Sequence, residues 1–210
     1  MSTECNKLHE IVNNLEIRSY PFSSSGIPKN GIYIMFENGE AAHHGFRIVR
    51  IGINVGQDNL YQRLTEHYEK RNKDRSIFRK NIGLALLNGR EDPFLNKWKI
   101  DLTTHDARLK YSEIVNSETL LNTEKEVSEI IQRNFKFSLI QVDSKLERKK
   151  LEARLISTVS HCKECGPSDQ WLGLKSPKKK IRESGLWQEQ GMNEQVIDQK
   201  TLEKIEEELL

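Results

Sequence analysis

The chain has no apolar run approaching the roughly 20 residues that a membrane-spanning helix needs, so no segment is expected to enter a membrane. Its opening stretch, Met1 to Glu10, lacks the apolar centre of a secretory leader, and a cytoplasmic location is the expectation. Cysteine is scarce. Cys5, Cys162 and Cys165 are three in 210 residues, odd in number and too few for a disulfide framework, which fits a reducing compartment. Charge of one sign is also missing: Lys and Arg total 33 against 31 for Asp and Glu, a formal net charge of +2. Bulk charge therefore neither identifies nor excludes a nucleic-acid binder, because clustering on the folded surface is what matters. Internal repeats and low-complexity segments are absent, which sets aside solenoids and disordered linkers.

What is present is a polar but ordinary globular composition, 36% apolar, long enough for one sizeable domain with an appended tail. Residues 1–29 read as a lead-in, with a short helical pattern over 8–17 and then a breaker-rich stretch holding Pro21, Gly26 and Pro28. Gly31-Ile-Tyr-Ile-Met-Phe36 and Phe46-Arg-Ile-Val-Arg-Ile-Gly-Ile53 are β-branched and aromatic runs separated by a turn-rich loop, the pattern of an antiparallel hairpin. Simple alternation would put Phe46, Ile48 and Arg50 on one face. Helical spacing follows over 60–68 and 76–87, residues 90–118 read as an insertion, and 117–134 is helical with a capping box suggested by Ser117-Glu-Thr. A third strand over 135–142 leads into a helix over 144–160 with Leu146, Leu151, Leu155 and Ile156 as its apolar stripe. After a loop-like stretch, residues 191–210 form a tail that ends in a helix. The fold class expected is mixed α/β (α+β): a small antiparallel three-stranded sheet flanked by helices, with the main domain at 30–190.

The chemistry-bearing residues form an ordered series. Gly31-Ile-Tyr33 opens one strand, Arg50-Ile-Gly52 ends the next, Arg63-x-x-x-His67 lies on one helical face, and Glu152 sits mid-helix. In that order and spacing the chain resembles the GIY-YIG nuclease superfamily over about residues 31–190. Gly166-Pro-Ser-Asp-Gln-Trp-Leu-Gly173 and Ile181-Arg-Glu-Ser-Gly-Leu-Trp187 are similar to a bacterial branch of predicted GIY-YIG proteins. The resemblance implies a divalent-metal-dependent endonuclease acting on DNA, with RNA left open and a homodimer allowed. The residue chemistry agrees with it. One carboxylate, Glu152, is able to anchor a hydrated Mg²⁺ or Mn²⁺ at a phosphate, and Arg63 offers a planar cationic fork to phosphate oxygens. The resemblance makes Tyr33 the base on the attacking water. A phenol with an ordinary pKa near ~10 needs a place for its proton, and a neutral His67 beside it supplies one.

Each of these residues has a plain structural reading when taken alone: a core tyrosine, a solvated Arg–His face, a surface ion pair. The family order is what favours a site. Two positions depart from the family pattern. Arg50 stands where the second tyrosine is expected, and no asparagine follows Glu152 at the expected place, Gln170 being the nearest amide. The alternative function is a non-catalytic nucleic-acid-binding module on the same fold. Candidate phosphate contacts are Lys70, Arg71, Lys73, Arg75, Arg79 and Lys80, with a second run of Lys178, Lys179, Lys180 and Arg182. Gly52 has two readings, a tight turn or access for a phosphate backbone. His161, Cys162 and Cys165 offer three zinc ligands where a structural site needs four, so zinc is not expected there.

Overall fold

Gly31–Ala42 and Gly45–Ile53 carry so many consecutive apolar residues because both faces of the sheet they build are covered. The structure, a computed structural model, describes residues 2–209, and the side chains of 3–208. In chain order the elements are α1 (Ser2–Asn14), β1 (Arg18–Ser19), β2 (Gly31–Ala42), β3 (Gly45–Ile53), α2 (Leu60–Tyr68) and α3 (Ile77–Gly89). Three short helices follow, α4 (Leu95–Lys99), α5 (His105–Lys110) and α6 (Ser112–Val115), in the stretch that reads as an insertion. The chain continues as α7 (Glu118–Asn134), β4 (Phe135–Gln141), α8 (Lys145–Ser160), a 3₁₀ turn at Leu172–Lys175, α9 (Lys179–Ser184) and α10 (Gln199–Leu209). The sequence pattern carries the terminal helix to Leu210, which lies outside the described residues.

The sheet is antiparallel with strand order β1-β4-β2-β3. It has four strands where the sequence predicts three. The addition is the two-residue β1, pairing Arg18 with Phe137 and Ser19 with Lys136, too short to carry a period in the sequence. Alternation along β2 divides the core in two. Tyr33 and Met35 face a layer made by α2, α3, α7 and Trp98 of α4. Ile32, Ile34 and Phe36 face a second layer made by α1, α8 and α10. No helix among the described residues is long and apolar enough to cross a membrane.

Three local expectations change. The register runs Ile34↔Ile51, Met35↔Arg50, then Phe36↔Ile48, so Val49 is the extra residue of a β-bulge. Ile48 consequently packs with the α1/α8 layer, while Val49 and Arg50 belong to the Tyr33 face, so Ile48 and Arg50 do not share a side. Ser117 caps α7 by accepting from Leu120 N, but residue 120 is a leucine and returns no bond, leaving half a capping box. On α8, Leu155, Ile156 and Val159 are buried and Leu151 packs half-buried on the same layer, whereas Leu146 is 64% exposed, so the stripe begins at Leu151.

Candidate active site

β3 is an edge strand, and the edge it leaves open is closed by the chain that follows α9. Trp187 N–H donates to Val49 O at 2.8 Å, Gln188 Oε1 accepts from Ile51 N at 2.9 Å, and Arg50 Nη1 donates to Trp187 O at 2.8 Å. Where this strap meets α3 and α8 there is a cavity of about 510 Å³, lined in part by Arg50, Asn81, Glu152 and Gln188. Two buried polar atoms of the lining find no partner in the protein, Arg50 Nε and Asn81 Oδ1. Unpaired buried groups of this kind are destabilising unless something else binds them.

Behind the cavity Tyr33 and His67 form the centre of a hydrogen-bonded chain. His67 Nε2 lies 2.8 Å from the Tyr33 hydroxyl and His67 Nδ1 lies 2.7 Å from Ser76 Oγ. Ser76 is the N-cap of α3 and also accepts from Arg79 N at 3.2 Å. His67 is fully buried. Desolvation first, then the charges of Arg63, Arg50 and Arg79, hold its pKa well below the usual 6.5, so the imidazole is neutral at pH 7. Burial also opposes the Arg63 charge, but the neighbouring Tyr33 oxygen and Glu66 carboxylate outweigh it and raise the guanidinium. The half-buried Glu152 carboxyl is pushed up by desolvation, against the pull of Arg50, Arg63 and Lys149. Four elements, β2, β3, α2 and α8, thus deliver Tyr33, Arg50, Arg63, His67 and Glu152 into one electrostatically connected group.

The motif glycines are packing positions. Gly52 faces Tyr33 across the ladder, and a Cβ on it would lie 2.3 Å from the Tyr33 hydroxyl. At Gly31 a Cβ would lie 2.4 Å from Ile140 O of β4. The ring that crosses Gly52 explains why that strand end carries no side chain, in place of a tight turn or phosphate access.

Residues 5–210 match the family model described as the GIY-YIG domain. The chain belongs to the GIY-YIG family. It therefore has a nuclease-type fold, in the mixed α/β form described above. Neither a curated protein nor a solved structure matches the chain.

Within this GIY-YIG fold the remaining candidate residues separate by environment. Gln170 is exposed and does not line the cavity; the amide that does is Gln188, eighteen positions later. The sequence held a signal for it, since Gln188 directly follows the Ile181–Trp187 stretch that resembles the family branch. Asn81 also escapes the motif, although an asparagine inside the apolar run of α3 is an anomaly that points to a polar neighbour. Ser76 is visible in the sequence only as a cap.

Of the expected phosphate contacts, Lys70, Arg71 and Arg75 are exposed beside Arg63 at the end of α2. Lys73 and Arg79 are not surface groups. Lys73 pairs with Asp74 at 2.7 Å and donates to Ile100 O, and Arg79 pairs with Glu124 at 2.7 Å and also donates to Ser128 Oγ and His67 O. Both are buried inside the GIY-YIG domain; Arg79 holds α3 against α7, and Lys73 holds the α2–α3 turn against the chain after α4. Lys80 is half-buried against Asp74. Lys179, Lys180 and Arg182 of α9 are exposed, and Lys178 pairs with Glu189 of the strap. His161 caps α8 with Nδ1 at 2.8 Å from Ser157 O; it is exposed and does not join Cys162 and Cys165 in a ligand set.

Proposed function

We propose that this GIY-YIG protein is a divalent-metal-dependent endonuclease that hydrolyses phosphodiester bonds of DNA. The observation that carries the reading is the Tyr33–His67–Ser76 chain beside Arg50, Arg63 and Glu152, drawn from separate elements to one sheet edge. A hard cation fits the donors there: Glu152 offers a carboxylate and Asn81 an unpartnered buried amide oxygen on the same cavity, both oxygen ligands of the kind Mg²⁺ and Mn²⁺ take. Such an ion, held by Glu152, supplies Lewis-acid charge at the phosphate.

The protein groups do the rest. A neutral imidazole donates with one nitrogen and accepts with the other. Ser76 Oγ has two lone pairs, of which one accepts from Arg79 N and the other is open to Nδ1–H of His67 at 2.7 Å. In that tautomer Nε2 carries the lone pair and faces the Tyr33 hydroxyl at 2.8 Å. His67 is then the acceptor for the Tyr33 proton. As Tyr33 takes a proton from the attacking water its own hydroxyl proton passes to His67 Nε2, and the Arg63 guanidinium beside the Tyr33 oxygen steadies the developing charge. Arg50, whose Nε is unpaired in the cavity lining, is placed to bind a phosphate oxygen in the position the family pattern gives to a second tyrosine. Lys70, Arg71, Arg75, Lys179, Lys180 and Arg182 supply non-specific contacts along the nucleic-acid backbone.

One observation favours a second reading, a non-catalytic nucleic-acid-binding module: Tyr33 is only 1% exposed. Supercoiled DNA incubated with Mg²⁺ or Mn²⁺ separates the two. Nicking or linearisation by the wild type, reduced at least ~100-fold in Glu152→Gln with DNA binding retained, is the expected result. Salt-sensitive binding with no cleavage of DNA or RNA under any of these conditions would leave the binding module.

A further inference from the structure

The second layer of the core holds a group of side chains that the active site does not use. Cys5 and His9 lie one helical turn apart on α1, His43 lies in the β2–β3 turn, and Cys165 lies in the loop after α8. Segments far apart in the chain bring one ligand atom from each residue, and all four atoms lie within 4.8 Å of one another. The two sulfurs are 3.3 Å apart and Cys165 Sγ is 3.9 Å from His9 Nε2, while the His9 nitrogen 3.6 Å from Cys5 Sγ is Nδ1. A tetrahedral zinc with bonds of about 2.3 Å to sulfur and about 2.0–2.1 Å to nitrogen keeps its ligand atoms roughly 3.3–3.8 Å apart. The sulfur–sulfur and sulfur–Nε2 spacings lie close to that range, and the four atoms, all within 4.8 Å, reach it by a small side-chain movement as an ion binds.

The surroundings have the features of a metal site. Cys5 and His9 are fully buried, Cys165 is 3% exposed, and their neighbours are the aliphatic residues of the α1/α8 layer. Amid these aliphatic neighbours the two thiols contact one another and the His9 ring. His9 has the outer partner that ligating histidines carry. His9 Nδ1 lies 2.9 Å from Cys5 O, which fixes its proton on that side and leaves the lone pair on Nε2. The Ile48 N–H that approaches Nε2 at 3.2 Å is the contact a metal displaces. His43 Nδ1 lies 3.7 Å from the Glu164 carboxylate, a neighbour beyond hydrogen-bond length. His43 and His44 also have positive φ, 48° and 64°, in a two-residue hairpin turn where Asn-Gly is the unstrained choice. Cys162 stands next to this group with Sγ 3.4 Å from His43 Nε2, and completes the C-x-x-C pair with Cys165.

We propose that Cys5, His9, His43 and Cys165 hold a structural zinc ion that ties α1, the β2–β3 turn and the loop after α8 together. With four protein ligands and no open position, it has no catalytic role. Cys162 is a neighbouring thiol outside the ligand set. The site is separate from the Glu152 cavity and does not depend on nuclease activity.

The test uses the full-length chain, purified under reducing conditions and freed of any affinity tag. Elemental analysis after dialysis is expected to find about one zinc per chain, and Co²⁺ exchange to give thiolate-to-cobalt charge-transfer absorption with tetrahedral ligand-field bands. Cys5→Ser and Cys165→Ser are expected to abolish that absorption, while Cys162→Ser and Glu152→Gln retain it. If a serine variant does not fold, the cobalt spectrum of the wild type still decides whether a thiolate site exists. A metal-free wild type that takes up no Co²⁺, with Cys5 and Cys165 either alkylated at once or joined in a disulfide, overturns the proposal. Loss of the cobalt absorption in Cys162→Ser with its retention in His9→Ala overturns the ligand set.

Discussion

Tyr33 owes its position to three small features: a glycine opposite, a histidine at its hydroxyl, and a serine behind the histidine. Gly52→Ala would place a methyl 2.3 Å from the reacting oxygen. Overpacking of this kind destabilises by roughly 1–3 kcal/mol. Because the displaced atom is the hydroxyl itself, cleavage should fall by more than the change in a urea midpoint accounts for. Equal losses in the two measurements would refute a direct effect on Tyr33. Ser76 acts twice, as the cap of α3 and as the partner of His67 Nδ1. Ser76→Ala should cost about 1 kcal/mol through the cap, and a further drop in cleavage of at least ~10-fold through the unanchored imidazole. Ser76→Thr keeps the hydroxyl and should restore both. Restoration of stability without cleavage would show that the His67 bond is incidental.

At the scale of elements, α3 is held to α7 by a buried pair rather than by apolar contact alone. Arg79 donates to the Glu124 carboxylate, to Glu124 O and to Ser128 Oγ, and the same carboxylate accepts from Lys73 N. Removing one partner strands a buried charge, so Glu124→Ala is expected to destabilise by about 3–5 kcal/mol, read from thermal or urea unfolding. Arg79→Met with Glu124→Leu should recover much of that loss. The basic turn between α2 and α3 divides the same way. In DNA-binding titrations at several salt concentrations, Lys70→Ala with Arg71→Ala and Arg75→Ala should reduce the salt slope by up to ~0.9 for each phosphate no longer neutralised. Lys73→Ala should lower stability and leave the slope unchanged. A slope that responds to Lys73 would place that lysine on the nucleic acid.

For the whole molecule, two buried groups titrate in opposition. His67 is kept neutral, so below about pH 6.5 the unfolded chain binds a proton that the folded chain does not, and stability is lost as pH falls. Glu37 behaves in the reverse sense. Burial pushes its carboxyl up to about 7 despite donation from the Trp187 and Trp171 indoles, so from about pH 7 down to 4.5 the folded chain holds the extra proton and stability is gained. Each slope reaches at most about 1.4 kcal/mol per pH unit. Between about pH 5 and 6.5 they offset, and the wild type should unfold at nearly constant urea concentration. Glu37→Gln keeps an acceptor for both indoles and removes the opposing slope, so its midpoint should fall as pH drops through that window. A flat Glu37→Gln profile would mean that His67 does not carry the linkage.

Local periodicity was enough to find most helices and the three long strands, because each buries one face or two and its apolar spacing records which. The order of Tyr33, Arg63, His67 and Glu152 along the chain pointed to one family without any contact being known. Other features had no local trace. The bulge at Val49 reverses the face of Arg50, and a one-residue insertion in a ladder is defined only by the partner strand. Lys73 and Arg79 read as a solvated basic run until Asp74 and Glu124 close over them. Gln188 reaches the cavity only because the strap after α9 pairs with the free edge of β3. The cysteines and histidines gather from three distant segments that the packing of α1 against the sheet and α8 brings together. Sequence determined what each segment is and which of its faces is apolar. Which residues meet across segments is a property of register, edge and packing, and only the tertiary structure decided it.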